Sequence, residues 1–510
     1  MHRPPPLSLL CRLLLVPLLL AALPASADDD RLDVVAPWEI NSLDPVQSGL
    51  ILGRMQVAET LIDSDDTGAL VPGLATRWQS PDATHWHLTL RQGVHFHDGT
   101  PMTPKSVAAS LERTLDRPGV LAQADILEVT PTDQGVDLVL AQPFAALPAL
   151  LSHYSTQILA PAAYDNDGQV TRIIATGPYQ VTQLALPQRL DSTRFEAYWG
   201  KAPAIATTRY LAAPRSETRT LMAQSGDADL VFTLDPVSLA RLRMTPGLAL
   251  FAEPIPRTVA LKLNATHPGL DTPALRHAIS LGIDRDGIAQ GILRRSDAAA
   301  HQLLPPSMAR WHLSDRAPEA RNLDRARQLL ASEGWTPGPD GILSRNGTRL
   351  ALTLTTFADR PELPVIATAL QAQLRELGMD VQVNVGNASE IPASHQDGSL
   401  NMALLGRNYG LVPDPLPTLM QDFGPTGGDW GAMNWSSPAL QDIFTELTRH
   451  TDPARRDALA QQAATLLADE RPVIPVVSYM QTLAASSRLE GVSLDPFERS
   501  YRLADMRWGD

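Results

Sequence analysis

Trp86-His87-Leu88-Thr89-Leu90-Arg91-Gln92-Gly93-Val94-His95-Phe96-His97-Asp98-Gly99-Thr100-Pro101 is the stretch on which the reading of this chain turns. Just ahead of it and through its first half, Thr84, Trp86, Leu88 and Leu90 alternate with His85, His87, Thr89 and Arg91. A period of two marks a strand with one buried face. Gly93 and the Asp98-Gly99 pair end the alternation with turn chemistry. Thr103 then supplies an N-cap and Pro104 a first helical turn, so a helix runs on through Leu111 and Leu115.

The same stretch raises a question of chemistry. His85, His87, His95 and His97 lie close together, and spacing by two puts each pair on one face of a strand. That is a geometry for metal ligation. Against it, His85 and His87 occupy the polar side opposite Trp86 and Leu88, and only Asp98 stands nearby in sequence to orient a ring. The reading adopted is a solvated strand face with no metal.

Working outward, the segment 1–27 reads as a secretory signal. Arg3 gives a basic start, residues 13–23 are an apolar run broken only by Pro17, and Ala25-Ser26-Ala27 is a small-x-small cleavage pattern. The run is too short to span a bilayer, and no other segment reaches the ~20 apolar residues a membrane helix needs. Cys11, the single cysteine, falls inside the signal, so the exported chain relies on its core and not on disulfides. Removal of the signal takes away Arg3 and Arg12 and no acid, deepening the formal charge of −14 by two. An acidic surface of this kind argues against nucleic acid and against an anionic membrane face. With 43 prolines and only 5% aromatics, the composition fits a loop-rich α/β protein better than a helical bundle.

The rest of the chain alternates strands and helices. Strands are expected at 31–36, 229–232, 259–264, 380–385 and 473–477, and helices ending at Gly226 and over 273–281, 324–333, 363–377 and 452–469. Residues 58–62 continue a helical pattern. Asn346-Gly347 marks a hairpin within 341–357. Asp63-Ser64-Asp65-Asp66-Thr67-Gly68 is a turn; as a calcium loop it would place Leu74 where a bidentate acid belongs. No serine elbow, zinc-protease helix or phosphate-cradling glycine loop is present in the sequence. The chain is read as a binding module, with no catalytic residue and no cofactor assigned. An exported enzyme, which would need a perturbed acid–base pair in its cleft, and a receptor subunit remain the alternatives.

Five blocks together resemble one family. They are Pro72-Gly73-Leu74-Ala75-Thr76-Arg77-Trp78; the opening stretch itself; Thr176-Gly177-Pro178-Tyr179 with Tyr198-Trp199-Gly200; Leu263-Asn264-Ala265 with Arg276-His277-Ala278-Ile279 and Ile283-Asp284-Arg285; and the segment from Ala326 to Gly334-Trp335. They run in family order. The chain is identified as similar to the extracellular solute-binding proteins, family 5, which serve peptide and nickel ABC importers. The resemblance implies a two-lobed periplasmic-binding-protein fold, α/β, with an enlarged first lobe and hinge strands. Its first lobe would span 28–255, with 480–510 returning to it, and its second 256–479. It implies a periplasmic, monomeric protein that takes a small peptide, a peptide-like compound or a metal chelate to an inner-membrane ABC permease.

The resemblance also places a cleft segment at Leu405-Gly406-Arg407-Asn408-Tyr409-Gly410-Leu411-Val412-Pro413-Asp414-Pro415. Dipeptide-binding members carry an Asp at the position of Leu411. The segment is closer to nickel-binding members, yet their metal-contacting histidine aligns with Gly427. Their arginine and tryptophan have no counterpart near 120–124, and their second arginine has none at 154–157. A nickel-specific protein is therefore the runner-up. The ligand-binding residues expected are Arg407, Asn408 and Tyr409, with Trp430, Tyr154, Arg54 and Trp38. Arg407 is the expected anchor for a solute carboxylate.

Overall fold

In the computed structural model, which describes residues 31–358, 360 and 362–509, strand His85–Leu90 buries the residues its alternation marks. Trp86, Leu88 and Leu90 are inside, while His85 is exposed. The strand is central to an antiparallel sheet of four, ordered Ala75–Gln79, His85–Leu90, Gly135–Leu140, Ile126–Pro131. Helix Pro104–Leu115 packs on it. Its start is a reciprocal cap: Thr103 Oγ1 accepts from the Ser106 backbone N–H, and Ser106 Oγ accepts from that of Thr103. This sheet is what enlarges the first lobe. The signal-peptide reading lies outside the described residues.

A second, ten-stranded sheet runs through the whole molecule. Its order is Asp380–Gly386, Ala351–Phe357, Met402–Asn408, Leu248–Leu263, Val473–Ser486, Leu230–Phe232, Arg31–Ala36, Thr207–Ala212, Arg189–Arg194, Tyr179–Ala185. Strands expected only at 259–264 and 473–477 are thus parts of two long antiparallel strands. Their pairing shifts register between Pro254, opposite Met480, and Thr258, opposite Ser478. A proline has no N–H for the ladder, and both Pro254 and Pro256 fall in this interval. Each side of the break has its own helices. The protein is two-lobed and α/β, with these two strands crossing between lobes.

On the far side of the break, Val259, Leu261 and Leu263 pack with Leu352, Leu354, Met402 and Leu404 beneath helices Pro273–Gly282, Leu323–Ser332 and Glu362–Arg375. The Asn346-Gly347 hairpin forms, with φ of 54° and 79° at the two residues. Positive φ at both is what a two-residue turn of the primed type demands.

One expectation fails locally. Residues 58–62 are not helical: the helix is Pro45–Arg54, and Gln56 follows at a left-handed φ of 54°. Backbone groups that would have closed the next turn are taken by segments elsewhere in the chain instead. The N–H of Ala75 bonds the carbonyl of Leu61, and that of Gly177 bonds the carbonyl of Val57. Apolar residues at 57, 58, 61 and 62 are all buried, so no helical face is left for water, and the run serves as an extended wedge.

Candidate ligand-binding crevice between the lobes

Helix Pro45–Arg54 starts at Asp44, whose carboxylate accepts from the N–H of Val46, and its last residue points into the interior. Arg54 is 3% exposed. Its Nε donates to the Glu498 carbonyl at 2.8 Å, and Nη2 lies 3.4 Å from Glu498 Oε1. The guanidinium sits 4.0 Å from the ring centre of Trp38 and 5.7 Å from that of Tyr501. Burial opposes its charge, but Tyr501 and Glu498 prevail and its pKa is raised.

From the register break in strand Leu248–Leu263, Arg257 Nη2 reaches Glu498 Oε2 at 2.9 Å. Arg257 and Arg360 both lie against the ring of Tyr479, at 5.1 and 4.9 Å from its centre. Such placements are favourable for a cation over an aromatic face. The Arg360 guanidinium makes no hydrogen bond or ion pair with any described residue, while its carbonyl accepts from the N–H of Leu363. It follows strand Ala351–Phe357, and a Cβ added at Gly406 near the end of the neighbouring strand would lie 3.8 Å from Arg257 and 3.9 Å from Arg360. In open α/β sheets such strand ends are where ligands sit.

Four buried polar atoms lack a well-aligned hydrogen bond among the described residues: Arg54 Nη1, Tyr501 Oη, Gln481 Oε1 and Glu362 Oε1, and of these the Arg54 and Tyr501 side chains interact with each other. Buried polar groups are nearly always satisfied, so such a cluster marks a place where something binds. Three arginines stand against Glu498 and Glu362, a surplus of one positive charge.

The expected site residues divide. Trp38, Arg54 and Tyr154 come together; Tyr154 packs beside Gly53, its ring is 4.0 Å from that of His153, and burial, tempered by Arg54, raises its pKa. Asn408 pairs across the sheet with Arg257, which brings it to the junction, and its side chain caps the N–H of Gly410. Arg407 differs from expectation. Its Nε and Nη2 hold Asp422 at 2.7 and 2.8 Å. The guanidinium is already paired, fork to fork, by a carboxylate of its own lobe. Tyr409 is 1% exposed and packs in the apolar core. Trp430 packs half-buried on the second lobe's core, beside a loop whose Gly428 and Asp429 carbonyls accept from the buried Lys262 Nζ. Sequence reading passed over Arg257, Arg360, Glu362, Tyr479, Glu498 and Tyr501. The one local signal was Arg360 and Glu362, two charges close together where an alternating strand gives way to a helix.

The model of the bacterial extracellular solute-binding proteins, family 5 (middle region), matches residues 69–430. The chain belongs to this family. A nickel-binding periplasmic protein of Escherichia coli (strain K12) is 27% identical over 483 residues, which is 90% of this chain and 91% of that protein. The glutathione-binding protein GsiB of Shigella dysenteriae serotype 1 is 24% identical over 82% of each chain. The structure of NikA from Brucella suis in complex with Fe(III)-EDTA has the same fold, with a TM-score of 0.84 at 23% identity, covering 94% of this chain and 99% of that one.

Gly427, which the resemblance sets opposite a metal-contacting histidine, sits where a side chain has no room. Gly427 has φ of 77°, and a Cβ there would lie 2.3 Å from the Ala432 carbonyl oxygen. Only glycine is at ease with both. Three of the four clustered histidines are engaged elsewhere, and His95 is exposed. His85 Nδ1 meets Asp82 at 2.9 Å, His87 Nδ1 meets Asp137 at 2.5 Å, and His97 Nε2 meets the Gly177 carbonyl at 3.0 Å. Burial pulls the His97 pKa down to about 4. Among the described residues no three acidic, histidine or cysteine side chains converge as a metal site. Titrating the purified protein with zinc or nickel in a calorimeter should therefore reveal no sub-micromolar one-to-one complex that His87→Ala removes.

Proposed function

We propose that this family-5 protein is the solute-binding component of an ABC importer, working in the periplasm and handing a small solute to an inner-membrane permease. The observation that carries the reading is the crevice at the break of the two long strands, with its incompletely bonded polar atoms and surplus arginine. Trp38, Arg54 and Tyr154 belong to one lobe, Arg360, Glu362 and Asn408 to the other. A solute touching both sets binds best when the lobes are closed, so it stabilises the closed state that a permease can recognise. The lobe division that fits this is 28–255 with 480–510, and 256–479; the register shift at Pro254 and Thr258 supports it.

The solute class that fits is a small peptide, peptide-like compound or chelate bearing carboxylates. Arg360 and Arg54 would meet the carboxylates, Tyr479 and Trp38 would cover its flat or apolar parts, and Glu362 would accept from an ammonium. Relatives named as nickel-binding and glutathione-binding proteins support a small solute. A nickel-specific protein is disfavoured by the crowding at Gly427. The test is native mass spectrometry of the protein released gently from the periplasm. A mass excess that unfolding removes, identified as a carboxylate-bearing compound, is expected. A ligand-free protein that none of a broad panel of peptides and chelates protects from heat would sink the reading.

Export has its own test. The mature chain is expected to begin at Asp28 and to run as a monomer in sedimentation. N-terminal sequencing that finds residues 13–23 retained would refute cleavage.

A further inference from the structure

The second lobe holds a separate cavity of about 260 Å³, lined among others by Arg285, His301, Trp311, Glu319 and Arg471. It lies between the helix Pro453–Glu470 and the start of the crossing strand at Val473 and Pro475. The crevice residues Arg54, Arg257 and Arg360 are not among its walls.

Two features of its walls are unusual. Arg285 is 4% exposed, and its guanidinium is held only by neutral groups: Nε by the Pro475 carbonyl at 2.9 Å, Nη1 by the Ser280 carbonyl at 3.0 Å, Nη2 by Ser280 Oγ at 2.8 Å. Burial pulls its pKa down to about 10. The one carboxylate on the cavity wall, Glu319, is taken up by His277, Ser280 and Arg471. Glu319 compensates Arg285 only at a distance, through the Ser280 hydroxyl that bonds both, and a buried cation so incompletely balanced is costly unless something supplies more negative charge. Second, Trp311 is 2% exposed and its Nε1–H has no acceptor among the described residues; His301 Nδ1 on the same cavity has no partner there either. The lining also includes the apolar side chains of Leu303, Leu304, Leu467 and Val473.

We propose that this cavity is a second ligand site, for a small carboxylate with an apolar tail, distinct from the solute crevice. The carboxylate accepts from Trp311 Nε1–H and from the N–H groups that Arg285 does not use. The tail lies along the leucines. An apolar cavity of about 150 Å³ suffices for benzene, so this one is large enough for an aromatic or branched acid. Its floor touches the crossing strands: the Leu303 carbonyl accepts from Thr258 Oγ1 at 2.7 Å, and Pro475 binds Arg285. Occupancy therefore bears on the strands that join the lobes.

The experiment uses the full mature protein and two probes, benzoate in calorimetry and 4-bromobenzoate soaked into crystals. A bromine anomalous peak in the cavity is expected. Benzoate should bind one-to-one, while benzyl alcohol and sulfate do not. Trp311→Phe should weaken benzoate about ten- to hundredfold, the loss of one donor to a charged group. Ala464→Leu, which fills the cavity, should abolish binding. Arg360→Ala should leave benzoate affinity unchanged, which separates this site from the crevice. The proposal falls if the bromine appears only elsewhere or nowhere, if sulfate binds as well as benzoate, if both cavity variants bind like wild type, or if Arg360→Ala removes binding. The crystal result decides the matter even where a variant folds poorly.

Discussion

Arg407→Ala is expected to cost about 3–5 kcal/mol of folding stability, the penalty for leaving a buried carboxylate without its partner. The carboxylate is that of Asp422, 1% exposed and gripped through both oxygens. Burial pushes the Asp422 pKa up more strongly than Arg407 pulls it down, so the charge depends on this arginine for what compensation it has. Lys262 is its other cationic neighbour, and burial holds that amine's own pKa down to about 7. Removing both charges should undo most of the damage: Arg407→Ala with Asp422→Asn should be more stable than Arg407→Ala alone. Denaturant unfolding followed by circular dichroism measures both. The competing expectation is a free arginine that anchors the solute. It would stand if Arg407→Ala unfolded like wild type yet lost affinity for the solute.

Arg360→Ala should behave in the opposite way. No described hydrogen bond or ion pair is broken by the change, so the melting temperature should stay near that of wild type. Affinity for a carboxylate-bearing solute, once identified, should fall by about 2–5 kcal/mol, chiefly through faster dissociation. Arg360→Lys should recover part of that, because an ammonium keeps the charge but lacks the planar fork. Glu362→Gln separates two roles for a carboxylate whose Oε1 has no hydrogen-bond partner among the described residues. If the solute brings an ammonium, affinity falls; if Glu362 only neutralises the arginines, an anionic solute binds more tightly. An Arg360→Ala protein with wild-type affinity would remove Arg360 from the site.

Much of the architecture was legible in the sequence. Alternation at 84–91, the Thr103 cap, the Asn346-Gly347 hairpin and the glycines that end helices each report an interaction between residues at most a few places apart. Such signals survive in the linear chain because the chemistry that satisfies them is local. The blocks shared with the family likewise sit in one continuous order. Where a local pattern met tertiary competition, at 58–62, the sequence misled: segments elsewhere in the chain captured the backbone groups a helix would have used.

The crevice exists only in the folded chain. Arg54 meets Glu498 from the far end of the sequence, Arg257 and Arg360 converge on Tyr479, and Arg407 finds Asp422 on the helix that follows its strand. Whether an arginine is a free anchor or half of an internal pair depends on which carboxylate the fold sets beside it. A charge carries no trace of its partner in its own neighbourhood of sequence. Linear patterns therefore sufficed for the two α/β lobes and for most of the segments that build them, while the crossing of two long strands set which charges face the crevice. Hydrophobic period and capping act over a turn or a pleat, whereas charge pairing acts through space and waits for the chain to close.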